Sequence, residues 1–341
     1  ALGHEALGGI TTGDANIGVG TFAANNTSTG VSNVAIGAYD GTLYGAFTTN
    51  TAGSYCIAIG TGALQTANEN DNDGTVAIGH EACKVQAGTG GAQFANATVG
   101  IGYQALTALT SGAGNLAIGY DALSAQTDGT YNIAIGYQAM NAMDSGEDHN
   151  IGIGYDVMGS MNNASSVTNV AIGSYALNDT GTAAVHSNVA IGYGSMGAAN
   201  HANASGTTAV GYLSCSALTD GDGCTAIGFQ ALTTSTTGER NTAVGYNAMT
   251  ALPAGANKNT AIGYSAGAAM NNATADFNTI VGSEAASTLT TGNKNVIIGQ
   301  GADCAAGRTN AVAIGNATTA VADNSVTLGD ADVTDVYMAQ D

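Results

Sequence analysis

The chain alternates short apolar segments with polar loops at a nearly constant interval. Segments such as NVAIG, NLAIG, NIAIG and NTAVG place Val, Leu, Ile or Thr two positions before an Ile or Val and then close on glycine. That alternation predicts a strand. At many copies a second short apolar segment, YxAL or YxAM, follows the glycine. A loop rich in Gly, Thr, Asn, Asp and Ser then leads to the next copy. Two short strands and two turns per copy describe one coil of a β-solenoid.

Anchored on the closing glycine, the copies fall at Gly3, Gly20, Gly37, Gly60, Gly79, Gly102, Gly119, Gly136, Gly154, Gly173, Gly192, Gly211, Gly228, Gly245, Gly263, Gly282, Gly299, Gly315 and Gly329. Most neighbours are 17 to 19 residues apart, two gaps stretch to 23, and the last two shrink to 16 and 14. A period this short excludes helical-hairpin repeats, whose units run to more than about thirty residues. The expected fold is all-β, a repetitive parallel β-solenoid or β-roll of about 19 coils, with long-period repeats over 1–309 and shorter-period repeats over 310–341. At roughly 4.8 Å per coil, the stack is expected to form a rod about 85 Å long.

Two columns are expected to carry its stability. Ile or Val precedes the anchor, as at Ile36, Ile59, Ile118, Ile135, Ile172 and Ile262, and stacks into an apolar ladder. Asn recurs four residues before the anchor at 16, 33, 115, 132, 150, 169, 188, 241, 259, 278 and 295. Asn115, Asn132, Asn150, Asn169 and Asn188 are thus expected to stack as an amide ladder. Each coil otherwise offers mostly Ala and Gly, too little for a self-sufficient core. The expected remedy is a homo-oligomer, with part of the apolar ladder facing a central axis.

Composition narrows the function. Among 341 residues, 51 are Gly, one is Pro and none is Trp, while 44% are hydrophobic and 9% charged. The periodic apolar content argues against disorder, and collagen would need glycine at every third position with abundant proline. The net charge of −20, from 25 acids and 5 bases, repels phosphate and disfavours nucleic acid or an anionic membrane surface. No apolar run approaches the ~20 residues of a membrane span. The opening ALGHEAL is already mid-repeat, so residue 1 is expected to lie inside a longer natural chain.

The NxVAIGxxA pattern, with its recurring Asn and Ile, resembles the head repeats of YadA-type trimeric autotransporter adhesins and the similar β-roll shafts of bacteriophage tail fibres. The closest likeness is NAVAIGNATTAVADNSVTLGDADVTDVYM, residues 310–338, where the spacing falls to 14. SVTLGDADVTDVYM also resembles the segment that precedes a C-terminal intramolecular chaperone in some fibre proteins. The resemblance implies a homotrimer, extracellular exposure at a cell surface, filament or virion tail, and a shaft or adhesive role. It transfers no ligand; a host-surface glycan or protein is the kind of partner it suggests.

Candidate chemistry is sparse. His4 and His80 share the column where Tyr usually sits, which reads as substitution at a turn rather than a metal site; His149, His186 and His201 form no motif. Neither HExxH nor GxSxG occurs, no cofactor is expected, and a non-enzymatic role is. NENDNDG, with Asp71 and Asp73, is a weak calcium candidate that reads more simply as a solvated turn. DGDG at 220–223 and Asp144, Glu147 and Asp148 of DSGEDH read the same way. Cys56, Cys83, Cys215, Cys224 and Cys304 are expected to be small buried hydrophobes. Tyr103, Tyr120, Tyr137, Tyr155, Tyr193, Tyr212, Tyr246 and Tyr264 follow the anchor, with Phe229 filling in. They form either a structural aromatic ladder or, if exposed, a carbohydrate-stacking stripe. The longer loops 40–53 and 84–97, with Tyr44, Phe47 and Phe94, are the other candidates for ligand contact.

Overall fold

A computed structural model describes residues 1–42, 44–49, 51–67, 72–86, 95–179, 183–198 and 204–336. Its described residues hold strands and turns and no helix, arranged as a parallel β-solenoid. The chain divides into two compact units, Ala1–Ala184 and Val185–Asp341. Phe94, Asp71 and His201 lie outside the described residues.

The first unit stacks nine three-residue strands, Ile17–Val19, Val34–Ile36, Ile57–Ile59, Val76–Ile78, Val99–Ile101, Leu116–Ile118, Ile133–Ile135, Ile151–Ile153 and Val170–Ile172. The second stacks another nine, from Val189–Ile191 to Val326–Leu328. Within each unit neighbouring strands pair in parallel with like positions opposed, so Ala117 sits beside Ala134 and Ala134 beside Gly152. Each strand ends immediately before one anchor glycine, and Leu2, before Gly3, bridges in parallel to Val19.

The pleat sets what faces inward. In three residues only the middle side chain points one way, and it is this one that is buried in nearly every strand, most often Ala: Ala35, Ala58, Ala117, Ala134, Ala171, Ala209 and Ala243 are all at 0% exposure. The flanking residues face outward. Ile118 and Ile135 are half-buried and Ile172 is exposed, so the Ile ladder expected in the core instead lines the outer surface of the sheet.

The large core side chains come from the turn. Four residues past the anchor stand Leu106, Leu123, Met140, Met158, Leu177, Met196, Leu232 and Met249, all fully buried. A further interior column is built by Leu109, Met143, Met161, Leu218, Leu252, Met270 and Leu289. The YxAL segment is therefore not a second strand. Its residues two and four past the anchor, such as Gln104 and Leu106 or Gln138 and Met140, have φ between 52° and 56°, the left-handed region, which breaks extended pairing. Among the described residues, second strands occur only as two-residue pairings, Thr66–Ala67 with Val85–Gln86 and Asp303–Cys304 with Thr319–Ala320.

The left-handed corners cost each L-residue backbone energy, offset by hydrogen bonds between successive coils. Leu123 N donates to Ala139 O at 3.0 Å, and Gln138 N to Tyr120 O at 2.8 Å. The anchor itself must be glycine. Gly136 has φ +141°, and a Cβ there would sit 2.1 Å from the carbonyl oxygen of Gly154.

Candidate functional site

The Asn column is a ladder that clamps coil to coil: buried amides are joined to the Asn of the next coil, chiefly through that residue's backbone N–H. Asn132 Oδ1 accepts from Asn150 N at 2.9 Å, and Asn150 Oδ1 accepts from Asn169 N at 3.0 Å. The Nδ2 groups reach sideways into the loop: Asn115 donates to Gly129 O at 2.7 Å and Asn132 to Glu147 O at 2.6 Å. Direct Nδ2 to Oδ1 bonds, such as Asn169 to Asn150 at 3.1 Å, are secondary. Asn115, Asn132, Asn150, Asn169 and Asn188 are all buried. Cys56 and Cys224 replace Asn and keep half of the clamp, their thiols donating to Asn72 O at 3.0 Å and Gly238 O at 3.1 Å.

A second acceptor column, six residues before the anchor, escaped the sequence reading. Asp73 Oδ1 takes Ser54 N at 2.7 Å, Asp148 Oδ1 takes Thr130 N at 2.6 Å, and Asp276 Oδ1 takes Asn257 N at 2.6 Å. Part of the acidic composition is thus structural. Asp73 is engaged by backbone, and no group of three or more His, Cys, Asp or Glu able to hold a metal occurs among the described residues.

The five cysteines are free and buried, and burial pushes the thiols of Cys56, Cys83 and Cys304 up to about 12. They are inert packing groups. Phe47 is likewise fully buried and occupies the interior turn column, its N–H donating to Ala63 O at 2.9 Å. It is a core residue and not a ligand contact. Tyr44 is exposed and lies against Tyr39, ring centroids 5.7 Å apart.

The tyrosines form an ordered surface ladder. His80 stacks on Tyr103 at 5.2 Å, confirming their shared column, and the stack continues Tyr103–Tyr120 at 5.0 Å, Tyr120–Tyr137 at 5.0 Å and Tyr137–Tyr155 at 5.3 Å. Interplanar angles in this run are 5° to 9°. The second unit repeats it as Tyr193, Tyr212, Phe229, Tyr246 and Tyr264, with centroids 4.9 to 5.5 Å apart. Tyr103, Tyr120, Tyr137 and Tyr155 are 41%, 43%, 45% and 46% exposed. Their edges meet solvent while their faces cover one another. The Asp121 carboxylate lifts the Tyr120 phenol above its usual range, keeping it neutral. A sugar ring stacks on an aromatic face, and inside the ladder those faces are taken.

By fold the chain is a parallel β-solenoid repeat protein. No protein-family model matches it, and no curated protein does.

Proposed function

We propose that this chain is the structural shaft of an extracellular fibre, a homotrimer of parallel β-solenoids of about nineteen coils each, whose task is mechanical. The observation that carries the reading is the outer sheet face. Ile, Val, Leu and Thr side chains flank the inward residues, in register, and many are more than a third exposed, among them Ile36, Ile172, Ile227, Ile262, Ile298 and Ile314. A long regular apolar sheet face of this kind suits burial against further copies of itself. The remaining features suit load-bearing: within each unit, runs of successive rungs are clamped by side-chain-to-backbone hydrogen bonds, from Asn115 to Asn169 and from Asn241 to Asn295. No helix among the described residues is long and apolar enough to cross a membrane.

The alternative is a glycan- or surface-binding module that uses the repeated tyrosines. Their exposure supports it; the mutual covering of ring faces weighs against it.

Sedimentation and light scattering test the trimer. The expected mass is three times 33.2 kDa, and Ile118→Asp with Ile135→Asp should release folded single chains. A wild-type chain that is folded, monodisperse and single at micromolar concentration would overturn the shaft assembly.

A further inference from the structure

We propose that the surface tyrosine ladder is a site of oxidative cross-linking, in which phenols on successive coils couple within one chain to form carbon–carbon-linked bityrosines. The geometry selects the pairs. Tyr103–Tyr120, Tyr120–Tyr137 and Tyr137–Tyr155 lie 5.0, 5.0 and 5.3 Å apart between centroids, with planes within 9° of parallel. Tyr193–Tyr212 at 5.4 Å and Tyr246–Tyr264 at 5.5 Å repeat the arrangement in the second unit, where Phe229 separates the two pairs.

Near-parallel stacking in register sets the ortho carbon of one phenol against that of the next. The ring edges are open to solvent, so a diffusing oxidant reaches them, and a modest tilt of two neighbouring rings closes the remaining gap. Successive coils are already held in register by the strand pairing, as Leu116 opposite Ile133 and Ile133 opposite Ile151. The partners therefore wait in place, and coupling needs no search.

The co-reactant is a peroxide acting through a haem peroxidase. Each phenol gives up one electron and one proton, leaving two phenoxyl radicals. Their ortho carbons join in one C–C bond, and the hydrogens on those carbons pass to the oxygens as the rings regain aromaticity. Two electrons and two protons in total reduce one hydrogen peroxide to two waters, and the chain loses two hydrogen atoms per link. The product ties one coil covalently to the next. The coupling runs inside a single chain, so it stands or falls independently of the fibre reading.

Two other surface tyrosines provide the contrast. Tyr55 is 66% exposed and stacks on no ring among the described residues, while Tyr131 is 58% exposed and meets His149 at 35°. If exposure alone governed reactivity, these would react before the ladder.

The test is treatment of the whole purified chain with a haem peroxidase and hydrogen peroxide, followed by fluorescence, intact mass, denaturing electrophoresis and peptide mapping. The expected result is blue bityrosine fluorescence, loss of two hydrogen atoms per link, migration as a single chain, and mapped links at the five stacked pairs. Tyr120→Phe with Tyr155→Phe should remove every ladder link of the first unit and leave those of the second; the tilted Tyr39–Tyr44 pair lies outside the ladder. Phe229 already occupies this column, so the double variant retains its fold, which circular dichroism verifies. No bityrosine, links that map to Tyr55 or Tyr131, or links only between chains would overturn the proposal.

Discussion

Asn150 donates its backbone N–H to Oδ1 of Asn132 at 2.9 Å, while Asn132 sends its Nδ2 to the carbonyl of Glu147 at 2.6 Å. One buried side chain thus holds a strand start and a loop of the next coil together. Asn132→Ala leaves a buried donor and a buried acceptor unpaired, for a loss of about 2–4 kcal/mol. Asn132→Cys is expected to cost less, because the thiols of Cys56 and Cys224 already serve loop carbonyls in this column. Denaturant unfolding of both variants checks the order; equal losses would refute the clamp.

The anchor glycine is set by two constraints at once. Gly136 combines φ +141° with an approach of 2.1 Å between any added Cβ and Gly154 O. Gly136→Ala should destabilise by about 3 kcal/mol or more, since neither the backbone nor the next coil has room to yield. Gly206 offers the contrast: its φ of +65° lies where other coils carry non-glycine residues, and a Cβ there meets nothing within 4 Å. Gly206→Asn is expected to be nearly neutral. Thermal melts of the two variants should separate clearly.

The strands and their spacing were legible because the period of the repeat is written into the chain at every coil. The inward face was not. Ile118, Ile135 and Ile172 are the most apolar residues of their segments, so hydrophobicity alone assigns them to the core. A three-residue strand has one inward position, and Ala takes it because the interior at that level is filled by Leu and Met from the turn. That turn was unreadable as such, since its left-handed residues are mostly non-glycine, such as Leu, Met, Gln and Asp. Phe47 misled for the same reason: the longer loop around it delivers the side chain to the interior column used by Leu64. The tyrosine column was visible in the sequence, but its exposure and face-to-face stacking are set by the left-handed turn that follows it.

Glu147 sits in DSGEDH, which reads as a solvated turn, yet the residue is buried and neither carboxylate oxygen has a hydrogen bond of good geometry. Burial pushes its carboxyl up to about 7, with the charge of Asp144 adding to the effect and neighbouring backbone N–H groups opposing it. A carboxyl whose pKa is raised on folding stabilises least when ionised. Stability should be full below about 4.5 and fall as pH rises through about 7. Glu147→Gln removes the penalty, so the variant should gain on the order of 1–2 kcal/mol at pH 8 over wild type and nothing at pH 4. Urea titrations at the two pH values check this; a gain independent of pH would exclude ionisation as its source.

Ile280 and Gly267 exchange the sizes seen elsewhere in the stack. The inward strand position, usually Ala, holds Ile280 at 0% exposure, and the interior turn position, usually Leu or Met, holds Gly267. A Cβ on Gly267 would lie 3.1 Å from Ile280 Cδ1, so the long side chain of the strand fills the space the turn leaves empty. Ile280→Ala alone should open a cavity and cost about 2–5 kcal/mol. Gly267→Met alone should overpack the same space, at about 1–3 kcal/mol. Its φ of +63° is no obstacle, because Met249 carries Met in this column at 48°. The double variant restores the common pairing and should recover most of both losses. A double-mutant cycle reads the coupling directly; additive losses would show that the two residues do not share one cavity.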